Sequence, residues 1–192
     1  MRSNNYETMK RAWGGVSLIM AFILLVFGAI GMGFFNWGMA KTNEMEFCTS
    51  CHSMKINLEE YKETAHYKNT SGVQATCADC HVPKEFIPKV IAKIRAAKDV
   101  YHEIMGTVDT REKYEAHRWK MANAVWDKMK ANDSRECRTC HEFSNMLLDE
   151  QDRSARKRHS RALDKGETCI DCHKGIAHEE PDEPEEPETD DA

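Results

Sequence analysis

A short cysteine motif, Cys-x-x-Cys followed directly by His, occurs four times in the 192-residue chain. The four copies contain every cysteine of the chain, namely Cys48, Cys51, Cys77, Cys80, Cys137, Cys140, Cys169 and Cys172. This motif is the attachment signature of c-type haem. The two thiols add to the two porphyrin vinyl groups, and the adjacent imidazole faces the iron. The motif imidazoles are those of His52, His81, His141 and His173. The pattern therefore predicts four covalently bound haems.

Three other uses of paired cysteines fit this pattern less well. A structural zinc site needs four ligands and could combine two cysteine pairs, but it would not require a histidine after every pair. A thioredoxin-like dithiol would occur once, near a βαβ pattern, and no such pattern is visible. Disulfide bonds would need an oxidising compartment but no histidine. We therefore interpret all four motifs as haem attachment sites.

The N-terminal part of the chain contains a long uncharged stretch. Residues 12–40 include no charged side chain, and as a helix they would extend about 43 Å, enough to cross a hydrocarbon core of about 30 Å with some tilt. Trp13 and Trp37 lie near its two edges, as interfacial anchors do. A cleaved signal peptide is the alternative, because Gly38-Met39-Ala40 resembles a cleavage site. Signal peptides usually have a shorter apolar region of about 7–15 residues, so we favour an uncleaved single-pass anchor.

Charge and composition divide the rest of the chain. Basic residues precede the span, which predicts a cytoplasmic segment at 1–11 and a periplasmic domain at 41–178. Haem attachment in bacteria is also extracytoplasmic, so we expect the bacterial inner membrane as the location. Residues 179–192 contain nine acidic residues, three prolines and no basic residue, a composition typical of a disordered tail. Without this tail the net charge changes from −5 to +4. We expect a lipid bilayer as one partner and no nucleic acid.

The predicted fold is mainly α, with one transmembrane helix and a haem-packed periplasmic domain. Helical periodicity is visible over Phe86–Met105 and again from Arg111 to Lys130, and Asn132-Asp133-Ser134 is typical of a helix end. Aromatic residues are scarce, so we expect the haems themselves to form most of the apolar core. No strand pattern is evident.

The motif spacing indicates an internal duplication. The motifs begin at positions 48, 77, 137 and 169, so the domain consists of two di-haem halves of similar spacing. His66 lies between the motifs of the first half, and His159 lies between those of the second. These two and His178 are the expected distal iron ligands, with His178 capping a haem other than its own.

One haem lacks an obvious distal histidine. Met54 follows the first motif closely and could be a soft ligand there, although packing is the ordinary role of a methionine. His102 and His117 could also serve, but they lie on charged helices and are more typical of surface positions.

Several longer phrases resemble one known family. The segments "HYKNTSGV", "CADCHVPKEFIPK", "KANDSRECRTCH" and "TCIDCHKGIAH", together with the anchor, closely resemble the NapC/NirT family of membrane-anchored tetrahaem cytochromes. The resemblance covers about 12–178. It implies that the first haem is the unusual one, high-spin or bound by Met54. It also implies a quinol site beside that haem, formed by Lys93 and Asp99. Some relatives have a histidine where this chain has Lys84.

The resemblance implies a quinol dehydrogenase that oxidises membrane quinol and supplies a periplasmic reductase. Nitrate, nitrite, S-oxide and N-oxide reductases are all possible partners, with the nitrate or nitrite type favoured. The main alternative is a passive anchored electron relay fed by another quinol-oxidising protein. A terminal multihaem reductase is a third possibility. The single open haem and the lack of a recognisable substrate pocket argue against it.

Overall fold

The described part of the chain is helical. A computed structural model gives the backbone of residues 2–184 and the side chains of residues 17–184, and no strand occurs in this part, which confirms the predicted mainly helical fold. The α-helices are α1 (Arg2–Lys41), α2 (Met45–Cys48), α3 (His52–Lys62), α4 (Cys77–His81), α5 (Phe86–Ile104), α6 (Arg111–Ala131), α7 (Arg135–Arg138), α8 (Arg153–Lys165) and α9 (Cys169–Cys172). Two 3-10 turns, Phe143–Asn145 and Leu148–Glu150, precede α8. Positions 185–192 of the predicted tail lie outside the described residues.

The chain divides into two compact units, Met1–Asn43 and Glu44–Ala192. The first unit is built around α1, whose segment Ser17–Lys41 is long and apolar enough to cross a membrane, with a mean hydropathy of 2.6. Nearly all side chains of this segment are exposed within the protein. A continuous exposed apolar surface of this size is rare in soluble proteins and typical of a helix that lipid surrounds.

Haem motifs two and four begin with the same local structure. In both, a threonine and an aspartate three residues later form a capping box at the start of a short helix. The carboxylate of Asp79 accepts from the backbone N–H of Thr76 at 2.8 Å, and Asp171 accepts from Thr168 at the same distance. The shared sequence Thr-Cys-x-Asp-Cys-His thus starts each helix on the first cysteine.

The two long helices of the second unit agree with the predicted pattern to within one residue. α5 ends at Ile104 instead of Met105, and α6 begins at Arg111 and ends at Ala131, one residue beyond the predicted Lys130. The hydroxyl of Thr110 caps α6 by accepting from the N–H of Lys113 at 3.3 Å. Helix α9 packs on α6, where Lys130 forms an ion pair with Asp171 at 2.7 Å.

The protein interior of the second unit contains few apolar side chains. Among the described residues, the buried apolar side chains are those of Ile56, Tyr61, Ala78, Tyr114 and Ile170. So small a set falls well short of what a domain of this length normally buries. The helices are instead connected by polar contacts and surround the haem motifs, as expected if haem supplies the missing apolar volume.

One fully buried serine joins the end of α6 to the last two motifs. Ser134 lies in the left-handed region with φ of +49° and is 0% exposed. Its N–H donates to the carbonyl of Met129 at 2.7 Å, and its hydroxyl accepts from the N–H of Ile170 at 3.1 Å. This single residue therefore ends α6 and also satisfies a buried donor at the start of α9.

We expect Ser134→Ala to destabilise the haem-binding unit by about 1–3 kcal/mol, because the buried N–H of Ile170 would lose its acceptor. Denaturant unfolding of the purified full-length protein in detergent measures this effect. Ser160→Ala, at an exposed position of α8, is the matched control and should change stability by less than about 0.5 kcal/mol. Equal effects of the two substitutions would contradict the structural role of Ser134.

Candidate haem and quinol sites

The four cysteine motifs lie next to one another in sequence order. Helix α2 packs on α4, and α4 packs on α7, so the second motif contacts both the first and the third. Cys77 lowers the pKa of the nearby Cys48 to about 6. Burial and the nearby Cys137 raise the pKa of Cys80, and burial and the nearby Cys169 raise that of Cys137. All eight cysteines are free of disulfide bonds. The attachment points therefore form a continuous series from the first motif to the fourth.

Three of the four motif histidines face a second histidine from elsewhere in the chain. The ring centroids of His66 and His141 are 6.1 Å apart, and those of His81 and His178 are 6.3 Å apart. The centroids of His159 and His173 are 6.0 Å apart. The three partner histidines are the ones that the sequence singled out as distal ligands.

These separations fit an iron atom between each pair of rings. Two imidazoles that bind one metal ion from opposite sides, each through a bond of about 2 Å, have ring centroids roughly 6 Å apart. Two cysteines precede the motif histidine of every pair, so the donor set is that of a c-type haem. Desolvation and the nearby His178 lower the pKa of His81 to about 4, although the residue remains accessible. The pKa of His178 is also lowered, mainly by desolvation. Both shifts favour the neutral imidazole that metal binding requires.

A buried ion pair fixes the backbone next to His178. Arg118 and Glu60 form two parallel hydrogen bonds of 2.7 and 2.6 Å, and both side chains are about nine-tenths buried. Arg118 also donates to the carbonyl of Glu179 at 2.8 Å, while the N–H of Glu179 donates to Glu60 at 2.9 Å. We call this arrangement the Glu60–Arg118 clamp. It attaches the residue after His178 to both α3 and α6.

The clamp also reaches the first residue of the predicted disordered tail. Glu179 is held through both of its backbone polar groups. The physical reason is the clamp, whose two side chains come from helices that are distant in sequence.

Polar contacts also orient the other two distal histidines. The hydroxyl of Tyr61 donates to the carbonyl of His66 at 2.8 Å, and it also contacts the carbonyl of Ala75. The Nδ1 atom of His159 lies 2.6 Å from the side-chain oxygen of Gln151. Because that oxygen can only accept, Nδ1 carries the proton, which leaves the Nε2 lone pair available to a metal.

The first motif is different from the other three. No imidazole of the described residues faces His52 at the 6 Å separation of the other pairs. The backbone N–H of His52 donates to the carboxylate of Glu103 at 2.8 Å, and the hydroxyl of Ser53 donates to the same carboxylate at 2.6 Å. Met54 is half-buried, with its sulfur 3.8 Å from the amide nitrogen of Asn57. The first motif is therefore the one whose histidine has no opposing imidazole among the described residues.

The two residues expected at a quinol site both lie on α5, but their surroundings differ. Lys93 is close enough to Cys48 for each charge to act on the other, and desolvation lowers the pKa of Lys93. Desolvation raises the pKa of Asp99, although the residue is largely exposed, and its charged neighbours are Lys98 and His102. The structure thus brings Lys93 to the first motif and places Asp99 further along the same helix.

The remaining candidate residues have other surroundings. His117 is exposed and its Nδ1 lies 2.8 Å from the carbonyl of Lys113. His102 is half-buried, with its Nδ1 3.4 Å from the hydroxyl of Thr107. Lys84, which occupies a histidine position of some relatives, forms an ion pair with Asp79.

Sequence reasoning missed the residues that position the histidines, above all Glu60, Arg118, Tyr61 and Glu103. No local pattern marks them, because each acts on a partner that only the tertiary structure brings close. The sequence alone does not distinguish a buried arginine or glutamate from a solvent-exposed one.

Comparison with known proteins places the chain in one family. Residues 10–183 match the model of the NapC/NirT cytochrome c family, N-terminal region. A protein of Allochromatium vinosum described as of the tetraheme cytochrome-c type is 62% identical over 170 residues, which are 88% of this chain and 92% of that protein. The cytochrome c-type protein NapC of Escherichia coli K12 is 49% identical over 178 residues, covering 92% and 88% of the two chains. The denitrification system component NirT of Stutzerimonas stutzeri is 48% identical over 159 residues, covering 82% and 79%.

The family match spans most of the chain, and it agrees with the four haem motifs and the long apolar helix. This chain belongs to the NapC/NirT cytochrome c family, as a membrane-anchored tetrahaem cytochrome c of anaerobic respiratory electron transfer.

Proposed function

We propose that this protein oxidises quinol in the bacterial inner membrane and passes the electrons to a periplasmic terminal reductase. The observation that carries the proposal is that Lys93 is near enough to Cys48 to lower the pKa of that thiol, at the motif that has no opposing histidine among the described residues. The relatives NapC and NirT support a nitrate or nitrite reductase as the partner, since NirT is named as a denitrification component.

Two residues of α5 supply the chemistry that quinol oxidation needs from the protein. Quinol gives up two protons with its two electrons, so a base must lie beside the oxidant. Asp99, whose pKa is raised by desolvation, is the proposed proton acceptor. Lys93 would hold a quinol oxygen and stabilise its developing negative charge.

The haem arrangement supports the second half of the proposal. Each haem, when bound, supplies a one-electron redox centre. We assign His66 to the third motif, His178 to the second and His159 to the fourth, on the centroid separations described above. His52 or Met54 would serve the first. The second motif helix contacts the first and the third, and Ser134, next to the third motif, binds Ile170 of the fourth. A relay from the first motif to the fourth is therefore the simplest route.

We expect Lys93→Ala and Asp99→Asn to slow reduction of the purified protein by a quinol analogue by on the order of 10²-fold. Haem content and reduction by dithionite should be unchanged, since neither residue binds haem. Stopped-flow absorbance of the haem bands measures both reactions. Lys120→Ala and Asp127→Asn, at exposed positions of α6, are the matched controls.

The pH profile gives a second, independent measurement. Asp99 must be deprotonated to accept a proton, so quinol oxidation should fall as the pH falls through its raised pKa. In Asp99→Asn this acidic limb should disappear. A wild-type protein that takes no electrons from quinol would favour the passive relay. Wild-type rates in both variants would overturn the site assignment while leaving quinol oxidation intact.

Replacing His66, His159 or His178 by Ala should leave four covalent haems and convert one of them from low spin to high spin. The thioether bonds do not involve the distal imidazole, so attachment should persist. Electron paramagnetic resonance and optical spectra report the spin state, and His117→Ala is the control that should change neither. An unaltered low-spin spectrum in His178→Ala would contradict our assignment of that residue.

The Glu60–Arg118 clamp allows positioning to be separated from stability. Arg118→Ala should destabilise the protein by about 3–5 kcal/mol, because it leaves the Glu60 carboxylate buried and unpaired. The double variant Glu60→Leu/Arg118→Met removes both charges and should regain much of this loss. It should nevertheless show partial high-spin character, because the backbone of Glu179 is no longer held. A fully low-spin double variant would mean that the clamp only stabilises the fold.

A further inference from the structure

Helix α5 carries an apolar face that the second unit leaves uncovered. Five of the exposed apolar side chains of α5, together with that of the adjacent Met105, are between 44% and 77% exposed. They are Ile87, Ile91, Ile94, Tyr101, Ile104 and the adjacent Met105. We call this set the α5 stripe. A row of this length exposes far more apolar surface than the scattered single residues that are normal on a protein surface.

The α5 stripe points away from the contact that attaches α5 to its unit. Glu103 makes that contact, through its hydrogen bonds to the start of α3. Nine residues separate Ile94 from Glu103, which places them about 180° apart around the helix. Ile87 and Tyr101 lie within about 20° of the same outward direction. The stripe is therefore the outer face of the helix, and Glu103 belongs to its inner face.

The haem of the first motif does not account for this exposure. The side of α5 that approaches Cys48 is marked by Lys93. Ile91 lies about 160° from Lys93 around the helix, and Ile94 lies about 100° from it. A group attached at Cys48 would contact the Lys93 side and leave the centre of the stripe open.

The charges of α5 are arranged around the stripe in a definite way. Lys93 and Arg95 lie about 100° to either side of Ile94 and border the stripe, while Lys98 lies within it, about 40° from Ile94. The acidic residues Asp99 and Glu103 both lie more than about 130° from Ile94, on the opposite face. An apolar face with cationic borders and no carboxylate is the pattern of a helix that lies in the surface of an anionic bilayer.

We propose that the α5 stripe lies in the interfacial layer of the membrane into which this chain is anchored. The covalent connection between the anchor and the second unit is short, because α1 ends at Lys41 and the second unit begins at Glu44. The apolar side chains enter the acyl boundary, and Lys98 and Arg95 contact lipid phosphates. The occupant is lipid, not a second copy of the chain or a haem. The proposal does not depend on quinol oxidation.

The test uses the full-length haem-loaded protein in nanodiscs that contain phosphatidylglycerol and a phospholipid with a photoreactive diazirine in its acyl chain. After irradiation, mass spectrometry identifies the labelled peptides. We expect label in Ser17–Lys41 and in Phe86–Ile104, and much less in α6. Label on α5 should decrease in neutral phosphatidylcholine or at high salt, because the cationic border then contributes less. Label confined to α1 would overturn the proposal.

Substitution separates lipid from the other possible occupants. Ile91→Asn/Ile94→Asn should lose most of the label on α5 and keep that on α1, with unchanged haem spectra. Leu147→Asn, at a residue 75% exposed outside α5, is the matched control and should label as wild type.

Altered haem spectra in the double variant, with no lipid label on α5 in the wild type, would mean that haem covers the stripe. Chemical crosslinks between two copies through α5, again without lipid label, would mean a dimer interface. If the stripe is in lipid and both α5 quinol-site variants still react at wild-type rates, this inference holds and the quinol-site assignment fails.

Discussion

Most of the structure depends on bringing imidazoles from separate parts of the chain into opposed pairs. An iron atom needs both axial ligands within about 2 Å of itself, so each pair must meet with little error. Two of the three pairs connect the halves of the duplicated sequence, since His66 faces His141 and His178 faces His81. If these pairs hold the irons as we propose, the two halves cannot fold around their haems independently. The small apolar core of the described residues has the same origin, because haems between the helices take the place of aliphatic side chains.

Polar contacts position much of the backbone around the histidines, although burying polar and charged groups has a large desolvation cost. A buried ion pair such as Glu60–Arg118 often contributes little net stability, because desolvation offsets the attraction between the charges. The ion pair instead fixes a position, because its two side chains hydrogen-bond to the N–H and the carbonyl of Glu179. Tyr61 and Gln151 act on His66 and His159 in a similar manner. The ligands are thus oriented by hydrogen bonds whose geometry is strict, and the haems supply the apolar burial.

The first motif differs from the other three in the surroundings of its histidine. Three motifs have an opposing imidazole, whereas His52 is tied through its backbone to Glu103 of α5. Helix α5 therefore combines three features along one element: a contact with the first motif, the charged residue Lys93 beside Cys48, and an outer apolar stripe. The proposals of quinol oxidation and of lipid contact therefore both depend on this one helix.

The sequence alone determined the chemistry, because covalent haem attachment is local. Cys-x-x-Cys-His places its three groups within one turn, so the motif alone indicates four haems, and the uncharged stretch of α1 indicates the anchor. The long helices α5 and α6 were predictable from periodicity, and the end of α6 from Asn132-Asp133-Ser134. The duplication also pointed to His66 and His159 as equivalent positions, yet their partners differ: His66 faces the other half and His159 faces its own. Only the tertiary structure decided these pairings, the clamp at Glu179 and the outward direction of the α5 stripe, since each depends on contacts between residues far apart in the chain, which leave no mark in local sequence.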